Sequence, residues 1–67
     1  MSTHYTLSVY NRQGDLWDSV AGREKDLRAQ GAAVTTIRGQ LAWTCTLRKD
    51  GQAIATCKRG VWKDVRP

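Results

Sequence analysis

Between Leu41 and Lys58 the chain reads L-A-W-T-C-T-L-R-K-D-G-Q-A-I-A-T-C-K, and its apolar positions fall on alternate residues. Leu41, Trp43, Cys45 and Leu47 are separated by Ala42, Thr44 and Thr46, the period of a strand with one buried face. Asp50-Gly51 then supplies a turn, because Gly takes a positive φ without steric cost and Asp tolerates the neighbouring position. A second strand follows to Cys57, and this hairpin is the element around which the rest of the chain is organised. The pattern predicts that Leu41, Trp43 and Leu47 are all buried.

Upstream, Tyr5, Leu7 and Val9 alternate with Thr6 and Ser8 and predict a first strand over His4 to Tyr10, broken by the polar turn Asn11 to Asp15. The next stretch supports two readings. Asp15 can cap a helix, Asp18 falls in its first turn, and Gly31 suits the position just past its end, so one helix over Leu16 to Gln30 is expected. Against it, Arg23 interrupts the apolar face and Gly22 costs about 1 kcal/mol in mid-helix. The rival comes from aligning Gly14 on Gly51, which sets Tyr10 over Leu47 and Trp17 over Ile54 and makes Asn11 to Val20 a second hairpin, with a helix over Arg23 to Gln30. The capping pattern favours the longer helix, and both readings end at Gly31.

Ala32 to Arg38 is rich in β-branched residues and reads as a strand, joined through Gly39-Gln40 to Leu41. Val61 to Pro67 continues as a basic tail, starting at about Lys58, that can add a short edge strand. The expected architecture is therefore a single α+β domain over residues 1–67. It has an antiparallel sheet of three to four strands, a C-terminal meander and one helix on one face, in the order β-α-β-β-β.

Sixty-seven residues allow one small core, since a chain of this size buries roughly 60% of its unfolded surface. Phe is absent, so Trp17, Trp43, Trp62, Tyr5 and Tyr10 supply most of the large side chains, and a homodimer is one way to add buried area. No apolar run approaches the ~20 residues of a spanning helix, and the opening Met-Ser-Thr-His-Tyr has no basic segment leading into an apolar one. A cytoplasmic protein with reduced thiols and no membrane partner is expected. If Lys49-Asp50-Gly51 forms a three-residue turn, Cys45 faces Ala55 and Cys57 faces Trp43. The thiols are then diagonal neighbours, with Cβ atoms about 7 Å apart where a bridge needs about 3.8 Å; a two-residue turn would point them to opposite faces, and only a register with Cys45 directly opposite Cys57 permits a bond.

Charge narrows the functional classes. Up to Ile37, Arg12, Arg23, Lys25 and Arg28 balance Asp15, Asp18, Glu24 and Asp26. From Arg38 onward seven cations face two acids, so the whole excess of +5 lies there. Basic side chains on a sheet can neutralise phosphates, and exposed rings can stack on bases. This points to Arg48, Lys49, Lys58, Arg59 and Lys63 as contacts with DNA or RNA, with Trp62 as a stacking residue. Arg48 and Lys49 crowd the turn while the other three lie past the far end of the same hairpin, so two separate basic spots, ~30 Å apart, are also compatible with the pattern.

Catalysis has little to stand on: His4 is the sole histidine, and neither cysteine sits in a C-x-x-C pair or in zinc-ligand spacing. No enzyme, metal or cofactor is expected. Two classes remain. One is a small basic nucleic-acid-binding or regulatory module; the other is an inhibitor or adaptor of the phage or mobile-element kind that docks on the acidic surface of one larger host protein.

Overall fold

The computed structural model describes residues 4–65, so Arg66 of the basic tail lies outside the described residues. The domain is α+β, with strands β1 (Tyr5–Tyr10) and β2 (Leu16–Gly22), helix α1 (Glu24–Val34), then β3 (Thr44–Lys49), β4 (Gln52–Lys58) and β5 (Val61–Asp64). All strand pairs are antiparallel and the spatial order is β2-β1-β3-β4-β5. The sheet thus has five strands rather than three or four, and the helix follows two strands rather than one. No helix among the described residues is long and apolar enough to cross a membrane.

The expected helix over Leu16 to Gln30 is corrected, and the reason is local. Asn11 Oδ1 accepts the N–H groups of Gln13 and Asp15, both at 3.0 Å, while the Asn11 N–H is accepted by the Asp15 carbonyl at 3.0 Å. This side-chain turn folds Asp15 into a hairpin and removes it as a helix cap. Leu16–Gly22 then pairs with β1, with a bulge that leaves Trp17 unpaired between Leu16 and Asp18. Arg23 takes the N-cap position without a side-chain cap bond, and Glu24 and Asp26 place negative charge in the first turn of α1.

The predicted strand over Ala32 to Arg38 is also corrected. Ala32 to Val34 complete α1, and the hydroxyls of Thr35 and Thr36 donate back to the carbonyls of Gly31 (2.9 Å) and Ala32 (3.0 Å) at the helix end. Two consecutive turns follow, closed by Gln40 N–H to Ile37 O (2.8 Å) and Trp43 N–H to Gln40 O (3.0 Å). Because these turns run up to Trp43, β3 starts at Thr44 and Leu41 is 52% exposed rather than buried.

In the β3–β4 hairpin Asp50 and Gly51 have φ of 52° and 86°, the two-residue turn that Asp-Gly favours. A bulge in β4 then places Leu47 opposite Ala55 and Arg48 opposite Ala53. The extra residue restores the facing that a two-residue turn would have reversed, so Cys45 lies directly opposite Cys57 and not diagonal to it. Both are free thiols. Burial, with the neighbouring Cys57 thiol adding to it, pushes the Cys45 thiol from 9.0 up to about 11.

The core lies between α1 and one face of the sheet. Leu7, Val9, Cys45, Leu47, Ala55 and Cys57 form its floor, Leu27 comes down from α1, and Trp43 and Trp62 pack against its rim. Gly31 was read as a residue past the helix end, but it lies inside α1, where a Cβ would come within 2.7 Å of Trp62 Cζ2 and 3.4 Å of Leu7 Cδ1. Thr35 is fully buried: its hydroxyl donates to Gly31 O, accepts the Gly60 N–H at 2.9 Å, and lies 3.4 Å from Cys57 Sγ. One side chain thus ties the helix end to the β4–β5 turn and to the core.

Two expectations follow. An exposed helical Gly→Ala change gains about 1 kcal/mol, whereas Gly31→Ala should destabilise by about 1–3 kcal/mol through overpacking against Trp62. Thermal denaturation decides the sign. Second, the folded protein holds the Cys45 proton more tightly than the unfolded chain. The associated stability is therefore intact below pH 9.0 and declines as pH rises towards about 11. Across that window the melting temperature should fall more in the wild type than in Cys45→Ala.

Candidate nucleic-acid interface

The register sorts every strand residue onto one of two faces, because directly opposed residues share a face and successive residues alternate. Cys57 and Trp62 are paired on the face beneath α1, as are Leu7 and Val20. The opposite face carries no helix, and its side chains form rows across the strands. Ser19, Ser8, Thr46, Thr56 and Lys63 make one row through all five strands. On one side of it lie Leu16, Tyr10, Thr44, Lys58 and Val61, and on the other Ala21, Thr6, Arg48 and Ala53.

This open face carries seven hydroxyls, three cations, the apolar Leu16, Ala21, Ala53 and Val61 and, among the described residues, no acid. The strand carboxylates point the other way: Asp18 is level with Val9, and Asp64 with Ala55, both on the helix side. Asp64 Oδ1 is also 3.8 Å from Arg28 Nη2 of α1. Asp50 is in the β3–β4 turn, where its Oδ1 accepts the His4 N–H at 3.1 Å. Arg48 is half-buried and its Nη2 donates to the Tyr10 hydroxyl at 3.5 Å, while Lys58 and Lys63 are exposed.

The six side chains singled out from the sequence therefore separate. Arg48, Lys58 and Lys63 share the open face. Lys58 and Lys63 are diagonal neighbours, about 7–8 Å apart, and Arg48 lies two rows from Lys58, about 14 Å along the strand direction. Lys49 lies beside the β3–β4 turn, level with Tyr5 and Gln52, and Arg59 occupies the β4–β5 turn with φ of 52°. Trp62 is on the helix side. Its Nε1 donates to Arg28 O at 2.8 Å, and the Arg28 guanidinium lies 5.3 Å from its ring centroid.

Trp43 and Trp62 pack against the core, and Trp17, unpaired at the β2 bulge and 66% exposed, meets Trp43 edge-on at 5.3 Å. The hydroxyl row was missed because β2 was read as helix and because Thr44 and Thr46 served only to mark the buried alternation. The signal that could have found it is the same alternation read for its polar phase: Thr6, Ser8 and Tyr10 in β1 against Thr44, Thr46 and Arg48 in β3.

No protein-family model matches this chain, and no similar curated protein or solved structure was found.

The Trp62 geometry gives a direct test. Trp62→Phe keeps a ring under α1 but removes the indole N–H that donates to the Arg28 carbonyl, and should cost about 1 kcal/mol in a denaturant titration. Its effect on oligonucleotide affinity should be small.

Proposed function

We propose that this chain is a non-enzymatic nucleic-acid-binding module that holds duplex phosphates on the open face of its sheet. The observation that carries this reading is the asymmetry of that face: Arg48, Lys58 and Lys63 stand among Thr44, Thr46 and Thr56 with no carboxylate beside them. Lys and Arg supply the charge that releases counterions from phosphates, and Thr hydroxyls donate hydrogen bonds to phosphate oxygens.

Duplex is favoured over single strands because a single-strand surface needs rings among its cations on which bases stack, whereas Trp43 and Trp62 pack on the core and Trp17 lies against Trp43 at the β2 edge, far from β4 and β5. Tyr10 is the one ring in the open rows, and it is half-buried beside Arg48. The module therefore binds with little sequence preference, through charge and hydroxyl donors.

Three phosphate contacts give a slope of about −2.7 for log K against log[salt] on duplex DNA. Lys58→Ala with Lys63→Ala should flatten it by up to about 1.8, weakening all sequences alike. Lys49→Ala and Arg59→Ala, which remove the same charge outside the rows, should leave most of the slope in place. Fluorescence titration at two or more salt concentrations measures this. No binding to duplex at about 50 mM salt, where such contacts are strong, would overturn the reading and leave the acidic-protein partner as the better description.

A further inference from the structure

The two edges of the sheet are built differently. β5 is four residues long and its exposed positions include Lys63 and Asp64, and a short charged edge is a common guard against pairing with another chain. β2 lacks this protection. It runs for seven residues, L-W-D-S-V-A-G, with six exposed and without Lys, Arg or Pro. The Trp17 bulge lies near one end and leaves Asp18 to Gly22 regular, and Ala21 and Gly22 have no side chain long enough to cover the backbone. One guard is present: the Asp18 carboxylate accepts the Ser19 N–H at 2.8 Å. Next to it Leu16 and Trp17 are 61% and 66% exposed.

Charge selects the occupant. With a net charge of +5 on each chain, copies repel wherever their β3–β5 regions meet. The part of the chain that forms β1, β2 and α1 is neutral, with Arg12, Arg23, Lys25 and Arg28 against Asp15, Asp18, Glu24 and Asp26. Copies meeting at β2 would also keep their basic strands far apart. β4 of one and β4 of the other are separated by seven strand spacings, about 34 Å, several Debye lengths at physiological salt.

We propose that β2 pairs antiparallel with β2 of a second copy about a twofold axis, joining two five-stranded sheets into one of ten strands. With Ser19 opposite Ser19 of the partner subunit, Asp18 lies opposite Val20 of the partner subunit on either side of the axis. The arrangement is closed, since it uses both β2 edges and leaves the two guarded β5 edges outside. It requires the Ser19 N–H to exchange its Asp18 acceptor for a strand partner.

Sedimentation equilibrium on the full chain from about 1 μM to about 1 mM should show a reversible species of twice the 7.5 kDa chain mass. Ser19→Lys should weaken the dimer by about fivefold or more, because it sets two like charges opposite each other at the axis, and mixing Ser19→Lys with Ser19→Glu chains should restore it as a heterodimer. The site tolerates the change in the folded chain, because the Ser19 side chain is exposed. Circular dichroism of each variant confirms the fold. A monomer at every concentration, an open polymer, or a dimer indifferent to Ser19→Lys and lost on Lys63→Glu would overturn the proposal.

Discussion

The packing of this domain depends on how closely α1 can approach the sheet at Gly31. The Trp62 ring fills the space where a side chain on Gly31 would stand, and its Nε1 bonds a carbonyl of the same helix one turn earlier. Because the ring lies under the helix, Leu27 reaches the floor made by Leu7, Leu47 and the two cysteines. A chain without Phe has few large side chains to build a core, and this geometry lets one tryptophan on a four-residue edge strand serve the centre of the molecule. Thr35 completes the arrangement with a hydroxyl that joins the helix end to the β4–β5 turn.

That commitment of the aromatic residues to one side gives the other side its character. With the tryptophans of the core packed under the helix, the open face is left to hydroxyls, three cations, Tyr10 and a few apolar side chains at its margins. The carboxylates also have work on the helix side or in turns, as with Asp64 near Arg28 and Asp50 at the His4 amide. The basic face follows from packing as much as from composition: a total of +5 spread over both faces would make no such surface.

The parts of the fold that could be read from the sequence were those specified by a two-residue period. β1 and the β3–β4 hairpin announce themselves by alternation and by Asp-Gly. β2 was legible only in the rival hairpin over Asn11 to Val20, which is the one that forms; the longer helix competed with it because β2 includes Asp18, ends in Ala21-Gly22 and follows the cap-like Asp15. Ala32 to Arg38 misled through β-branching: Val34 closes a helix, and Thr35 and Thr36 cap it with hydroxyl bonds that no propensity scale anticipates. The candidate face was half legible. Arg48, Lys58 and Lys63 were named from charge, but which cations share a face is a matter of register, and register here turns on one unpaired residue.

That residue sits at the β4 bulge near Ile54. Everything downstream inherits its phase from it: Cys57 and Trp62 face the helix, Lys58 and Lys63 face out. Loss of one residue from this short stretch would exchange the two sets, carrying ammonium groups into the core and the indole into water. The hairpin can therefore vary in length only by compensated changes, and chains related to this one by descent should keep the bulge, or gain and lose residues on either side of the turn in pairs.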